Sequence, residues 1–197
     1  YNERDEAFRI IKDISNTKSR KSIPFNKFLI LYRTNAQSRA IEDVLIKNGI
    51  LYNIVGGVKF YDRKEVKDVL AYMRLIINPN DSISFDRIIN FPIRGIGKTS
   101  ISKIHDYLSS DNIIDSLKEI DQLKIGKKQL TALKEFRDMI KRYSIRSESE
   151  KPSIIMKDLL YDIKLKEFYL NQNTSESDER WSNIEECISG IVEYENN

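Results

Sequence analysis

A short, uninterrupted apolar run at residues 28–31, Phe-Leu-Ile-Leu, restricts the fold of this chain more than any other stretch. A run of this length is typical of a β-strand that is covered on both faces. Thr34 and Gln37 then have the spacing of a capping box, which predicts a helix over residues 36–48. Residues 51–55, Leu-Tyr-Asn-Ile-Val, have the composition of a second strand. Together these segments predict a β-α-β unit.

Helical spacing dominates the rest of the sequence. A stripe of apolar residues predicts a helix over residues 64–77, which Asn78 and Pro79 end. Beyond Asp81 there is no strand pattern, and apolar residues recur at helical spacing in segments 83–91, 99–109, 112–120, 127–143, 153–161 and 181–194. The predicted fold class is therefore α/β followed by mostly α, with a domain boundary between residues 78 and 79.

Tyr32 and Arg33 lie where the first predicted strand ends. Ligands of open α/β sheets bind at the carboxyl ends of the strands, so a ring and a guanidinium at this point can stack on a base and bind a phosphate. Alternatively, Tyr32 packs beneath the sheet and Arg33 is solvated. The pair alone is compatible with both interpretations.

Residues 92–99, Pro-Ile-Arg-Gly-Ile-Gly-Lys-Thr, lie between two predicted helices and have the pattern of a helix-hairpin-helix. The two glycines allow backbone N–H groups to approach a phosphate, and the isoleucine between them anchors the turn. Contacts of this kind bind DNA without reading its sequence and depend strongly on salt. Taken alone, a Gly-x-Gly turn is also a common structural turn. The candidate DNA-binding residues of this hairpin are Arg94, Gly95, Ile96, Gly97, Lys98 and Thr99.

Two glycines at positions 56 and 57 follow the second predicted strand, but the Gly-Lys-Ser/Thr of a phosphate loop does not follow them. A few residues later, Phe60 and Arg63 are candidate DNA-binding residues, because an aromatic ring and a cation can hold single-stranded DNA by stacking and charge. Alternatively, Phe60 and Tyr61 pack inside the domain while Arg63 pairs with a nearby acid.

Charge is divided along the chain. Basic and acidic residues number 15 and 9 in residues 1–80, 13 and 9 in residues 81–147, and 5 and 12 in residues 148–197. The basic body favours polyanionic partners. No apolar stretch approaches the roughly 18 residues that span a bilayer, and the first residues are charged, so we expect a cytoplasmic protein without a membrane partner. One cysteine and one histidine exclude an internal disulfide and a usual zinc site, and we predict no metal ligands.

Three motifs occur together in this sequence: Leu-Tyr-Arg-Thr-Asn-Ala-Gln-Ser-Arg at residues 31–39, Gly-Gly-Val-Lys-Phe-Tyr-Asp-Arg-Lys-Glu-Val-Lys-Asp at residues 56–68, and Asn-Phe-Pro-Ile-Arg-Gly-Ile-Gly at residues 90–97. In their order and spacing the chain closely resembles the UvrD/PcrA/Rep family of superfamily-one DNA helicases. The resemblance is close over about residues 1–110 and looser beyond them. There, Arg180 with Asn183-Ile-Glu-Glu186 is similar to an Arg…Asn-Leu-Glu-Glu stretch of the family.

The resemblance implies a fragment of an ATP-dependent DNA helicase that translocates 3′-to-5′ on single-stranded DNA and unwinds duplex in repair or replication. It implies a partial RecA-like motor lobe, 2A-like, at residues 1–78 and a helical DNA-binding accessory subdomain, 2B-like, at residues 79–197. Tyr32 then stacks on adenine, and Arg33 acts as the catalytic residue that reaches the γ-phosphate of ATP. The hairpin of residues 92–99 meets duplex DNA ahead of the unwinding junction.

The sequence contains no Gly-x-x-x-x-Gly-Lys-Ser/Thr loop and no Asp-Glu pair that ends an apolar strand to hold magnesium. We therefore expect ATP and Mg²⁺ to bind in the full-length parent and not to this fragment, which should be inactive alone. Expected partners are DNA at a single-strand/duplex junction and repair or replication proteins. Two alternatives are a DNA-binding or protein-docking helical module without a motor role, and a relative of nuclease-associated helicases.

Overall fold

The structure is a computed structural model that describes residues 3–108 and 113–196. This part of the chain is built from helices and contains no β-strand. The α-helices are α1 (Glu3–Lys21), α2 (Ser38–Lys47), α3 (Lys64–Ile77), α4 (Ser82–Ile88), α5 (Lys98–Tyr107), α6 (Ile113–Ser116), α7 (Lys127–Arg146), α8 (Pro152–Asp162), α9 (Leu165–Leu170) and α10 (Ser175–Glu195). Short 3-10 helices occupy Phe25–Lys27, Asn35–Gln37, Phe60–Asp62 and Leu117–Gln122. None of the described helices is both long and apolar enough to cross a membrane.

The described residues divide into two units of packing. Unit 1 comprises the residues up to Val66 together with those from Ser175 onward, and unit 2 runs from Lys67 to Thr174. Unit 1 is therefore built from two stretches that are far apart in the sequence. These units describe packing inside the chain, and the domain boundary between residues 78 and 79 stays a prediction.

The core of unit 1 is formed by α1 and α2, whose apolar faces pack against each other. A glycine follows the C-terminal end of α2, which is Lys47. Gly49 has a φ of +64°, and the N–H of Ile50 donates to the carbonyl of Leu45 at 2.9 Å. The buried residues of this core are Ala7, Ile11, Ala40, Val44 and Leu45.

The predicted β-α-β unit, and with it the partial RecA-like α/β lobe, is wrong for the described residues, which contain no strand. Residues 28–32 and 51–55 run as irregular chain over the core of unit 1. Ile30 packs against that core, whereas Leu31 is 84% exposed and Leu51 is 95% exposed. A strand requires ladder hydrogen bonds to a neighbouring strand, and neither segment has such a neighbour in the described part of the chain. The apolar runs are therefore covered on one side only.

Unit 2 has a separate helical core, to which α3 to α8 contribute. Phe85 of α4 and Phe136 of α7 meet edge to face, with ring centroids 6.0 Å apart. Ile96, from the loop between α4 and α5, is fully buried among these helices. The core therefore fixes the position of the hairpin that the sequence singled out.

Several predicted helix bounds agree with the structure, and others differ. Helix α3 spans the predicted residues 64–77, and α7 begins at the predicted Lys127. The helix predicted at residues 112–120 is α6 followed by a 3-10 helix, and residue 112 lies outside the described residues. Helix α9 was not predicted, and α10 begins at Ser175, six residues before the predicted start of the last helix at residue 181.

Candidate nucleotide corner and candidate DNA-binding hairpin

Tyr32 and Arg33 lie in unit 1, immediately before the 3-10 helix that leads into α2. Tyr32 is half-buried and Arg33 is exposed. The side-chain oxygen of Gln37 accepts hydrogen bonds from the backbone N–H of Arg33 at 3.0 Å and of Thr34 at 3.1 Å. This is the Gln37 half of the predicted capping box, and it fixes the backbone at the helix entry. None of the described residues hydrogen-bonds to the Arg33 guanidinium, which is therefore available to an anion.

Phe60 and Arg63 are both buried in unit 1. The N–H of Phe60 donates to the two carboxylate oxygens of Glu42, at 3.1 and 3.2 Å. The guanidinium carbon of Arg63 lies 5.1 Å from the centroid of the Phe60 ring. This geometry agrees with the packing alternative for Phe60. Arg63 itself donates hydrogen bonds of 2.8 Å to three neutral oxygens, Asn35 O, Ser38 Oγ and Asn183 Oδ1.

Two tyrosines near Phe60 donate hydrogen bonds to carboxylates of α2. The Tyr52 hydroxyl donates to Glu42 at 2.7 Å, and the Tyr61 hydroxyl donates to Asp43 at 2.9 Å. Burial, together with the neighbouring carboxylate, raises the pKa of each phenol above its ordinary value. Both tyrosines therefore stay neutral hydrogen-bond donors near neutral pH.

The hairpin of residues 92–99 joins α4 to α5 in unit 2. Gly95 has a φ of +75°, in the left-handed region that favours glycine. The side-chain oxygen of Asn90 accepts from the N–H of Arg94 at 2.9 Å and from the N–H of Ile96 at 3.0 Å. Because Ile96 is buried in the core, these bonds hold the turn in one conformation.

The outer surface of the hairpin is formed by Gly97, Lys98 and Thr99, which are all exposed. Gly97 immediately precedes α5, so the unpaired N–H groups of the first helical turn lie at this surface. A Cβ atom added at Gly97 would meet no atom within 4 Å. This surface therefore combines open space, helix N–H groups and one lysine, which suits an approaching phosphate.

The Arg94 side chain is directed into the protein. Its Nη1 donates to the carbonyls of Ile88 and Phe91, both at 2.8 Å, at the end of α4. Its guanidinium carbon also lies 5.0 Å from the ring centroid of Phe136 and 5.8 Å from that of Tyr72. Arg94 therefore supports the hairpin from inside, whereas Lys98 carries charge on the outside.

The whole chain, residues 1–197, matches the family model of the UvrD-like helicase C-terminal domain. This chain belongs to that family. It is 41% identical to the ATP-dependent DNA helicase PcrA of Staphylococcus epidermidis over 197 residues, which cover 99% of this chain and 27% of the relative. It is 40% identical to the ATP-dependent DNA helicase PcrA of Bacillus subtilis over 187 residues, which cover 94% of this chain and 25% of the relative. The chain thus spans about a quarter of the length of these relatives.

The UvrD-like family match confirms the resemblance that the three sequence motifs indicated. In this UvrD-like chain the first motif holds the exposed Arg33, the second holds the buried Phe60 and Arg63, and the third forms the hairpin. The roles of Tyr32 and Arg33 in nucleotide binding, and of the hairpin in DNA binding, stay predictions.

Sequence reasoning assigned no individual role to two buried residues in unit 1 of this UvrD-like chain, Arg39 and Asn183. Arg39 is 2% exposed and binds Asp43 at 2.9 Å, Glu186 at 2.6 Å and Glu193 at 3.2 Å. Asn183, also buried, accepts from Arg63. The i,i+4 spacing of Arg39 and Asp43 was a local signal, whereas the α10 residues lie more than a hundred positions away.

Proposed function

We propose that this UvrD-like chain serves an ATP-dependent DNA helicase in two ways: its corner at Tyr32 and Arg33 senses ATP, and its hairpin of residues 92–99 holds the DNA backbone. The names of the relatives support the helicase class. The observation that carries the proposal is the hairpin geometry. A buried Ile96 and a left-handed Gly95 hold the turn, so that Gly97 and Lys98 present helix N–H groups and charge to solvent.

The proposed DNA contact is made to phosphates and does not read the bases. Helix N–H groups and a lysine bind phosphate oxygens equally well in any sequence, and the binding free energy comes largely from counterion release. Binding should therefore weaken steeply with salt. The proposed substrate is a duplex with a single-stranded tail, at whose junction a helicase works.

The proposed nucleotide role belongs to the full-length helicase, where Tyr32 stacks on adenine and Arg33 reaches the γ-phosphate of Mg²⁺-bound ATP. A guanidinium at that point stabilises the charge that develops during phosphoryl transfer. Its exposure, and the absence of a bonded partner for it among the described residues, support this role. For the full-length protein we propose 3′-to-5′ translocation on single-stranded DNA and duplex unwinding in repair or replication, as the family resemblance implies.

The hairpin is tested by fluorescence anisotropy with a labelled, tailed duplex across a salt series. Gly97→Asp places a carboxylate at the proposed phosphate site, and the added Cβ atom would meet no atom within 4 Å. We expect Gly97→Asp to weaken binding about tenfold at low salt, because the carboxylate repels the phosphate and removes one favourable contact.

Gly97→Asn is the matched control, since it has the shape of aspartate and the same ability to cap α5, without the charge. It should weaken binding less than Gly97→Asp does, and the difference between them should shrink as salt rises. Equal affinities for the wild-type chain and both variants at every salt concentration would contradict the proposed DNA contact and favour the protein-docking alternative.

A further inference from the structure

We propose that Arg63 is a positioning residue for Arg33: it holds the backbone that follows the nucleotide corner, and it does so together with helix α10. This inference rests on the proposed role of Arg33 toward ATP. It assigns Arg63 a place in the same reaction that is different from contact with DNA.

The first observation is where the hydrogen bonds of Arg63 go. Its side chain is 5% exposed, and Nη1 donates to the backbone carbonyl of Asn35, two residues after Arg33, at 2.8 Å. Its Nη2 donates to Ser38 Oγ, in the first turn of α2, also at 2.8 Å. One planar, rigid group is therefore bound both to the first residue of the short 3-10 helix and to the residue that follows this helix.

The second observation is that α10 orients Arg63. Its Nη1 also donates to Asn183 Oδ1 at 2.8 Å, and Asn183 Nδ2 in turn donates to Glu65 Oε1 at 2.6 Å. Asn183 and Glu65 are both buried. In addition, the side chain of Asn35 donates to Glu179 of α10. The corner backbone is therefore held through Arg63 and α10, and not only by local turn geometry.

The third observation concerns the corner itself. Gln37 accepts from the N–H groups of Arg33 and Thr34, so the conformation of Arg33 depends on where the 3-10 turn places Gln37. Arg63 binds the first residue of that turn, Asn35, and the residue immediately after it, Ser38. A shift of this segment would displace the Arg33 guanidinium from the γ-phosphate, and a displacement of about 1 Å can slow a reaction a hundredfold.

The test uses Arg63→Lys in the full-length helicase that contains this chain, with steady-state ATPase kinetics on single-stranded DNA. Lysine keeps the charge but cannot bind the three oxygens with the fixed geometry of a guanidinium. We expect kcat to fall roughly tenfold or more, with KM for ATP changed by less than about twofold, because the lost interaction belongs to the transition state.

A double variant distinguishes a positioning role for Arg63 from a nonspecific effect of its substitution on the protein. If Arg63 acts through Arg33, Arg63→Lys should lower kcat little further in an Arg33→Ala background. Full additivity of the two effects would overturn the inference while leaving the proposed function intact. Normal turnover by Arg33→Ala alone would overturn the proposed function, and this inference with it.

Arg39→Lys is the matched control. Arg39 is equally buried in unit 1 and also binds α10, through Glu186, yet it makes no hydrogen bond to residues 33–37. The Arg39→Lys variant should leave kcat within about twofold of wild type, measured at a temperature where Arg39→Lys and Arg63→Lys are both folded. A fall in kcat as large as that of Arg63→Lys would overturn the inference.

Hydrogen exchange on the isolated chain gives a readout that needs no ATPase. The Arg33 and Thr34 amides, which donate to Gln37, should exchange faster in Arg63→Lys than in wild type, and at the wild-type rate in Arg39→Lys. Unchanged exchange of these two amides in Arg63→Lys would overturn the inference, whatever the kinetics of the full-length protein.

Discussion

The role of an arginine depends on how many of its donors the protein already uses. Arg94 directs its Nη1 to two backbone carbonyls and lies over the ring of Phe136. None of the described residues, in contrast, hydrogen-bonds to the guanidinium of Arg33. The Arg94 side chain is bound within its own hairpin, whereas the Arg33 side chain is available to bind an anion.

Arg94→Met should destabilise the chain without touching the outer surface of the hairpin. The variant keeps a long side chain but loses the hydrogen bonds from the guanidinium to Ile88 and Phe91, and a hydrogen bond from a charged group contributes about 1.5–3 kcal/mol. We expect the free energy of unfolding to fall by about 2 kcal/mol. Urea denaturation followed by far-UV circular dichroism measures the change. Lys98→Met, on the exposed side, should stay within about 0.5 kcal/mol, and an equal effect of the two substitutions would contradict the internal role of Arg94.

At the scale of elements, the start of α4 is fixed by one side chain. Asp81 Oδ1 accepts from the N–H of Ser84 at 2.9 Å, and Oδ2 accepts from the Ser84 hydroxyl at 2.7 Å. Asp81→Ala should lower the stability of unit 2 by about 1 kcal/mol, whereas Asp81→Asn, which keeps the cap, should change it by only a few tenths. Native-state hydrogen exchange of the α4 amides checks this, and equal losses for the two variants would contradict the capping role.

The cap also makes α4 sensitive to acid. The hydrogen bonds from Ser84 lower the pKa of Asp81 below its ordinary value. Its contribution is therefore fully present above the unfolded pKa of about 3.9 and is lost as the pH falls through the lower folded value. The stability difference between wild type and Asp81→Ala should shrink below about pH 4, while the difference between Asp81→Asn and Asp81→Ala stays constant. A wild-type advantage that persists unchanged in strong acid would contradict this linkage.

Local patterns predicted the elements that are stabilised locally. Helix α3 follows from its apolar stripe and from Asn78-Pro79, and the hairpin follows from its glycines and the buried Ile96. The strand at residues 28–32 was wrong, because an apolar run does not specify which neighbour will pair with it. Its residues are as apolar as those of a strand, but the described part of the chain supplies helices and no second strand.

At the scale of the whole molecule, unit 1 joins stretches that are far apart in the sequence. Arg63 and Asn183 are 120 positions apart, and Arg39 and Glu186 are 147 apart. No periodicity links such positions, so the sequence left Arg63 as either a DNA contact or the partner of a nearby acid and gave no role to Asn183. The motifs named the exposed candidate residues, whose roles stay predictions, whereas the hydrogen bonds of Arg63 to Asn35, Ser38 and Asn183 follow only from the structure.

The isolated chain should self-associate through the two irregular segments of unit 1. Leu31 is 84% exposed and Leu51 is 95% exposed, and Leu29 and Val55, in the same two segments, are also exposed. Two short apolar stretches therefore face solvent. Among the described residues no strand pairs with their backbone groups. Leu31→Lys/Leu51→Lys should reduce association without loss of the core, since neither side chain is buried. Sedimentation velocity over a concentration series measures this. Ile77→Lys, at an exposed isoleucine of α3, should leave association unchanged, and an equal reduction by that control would point to net charge rather than these segments as the cause.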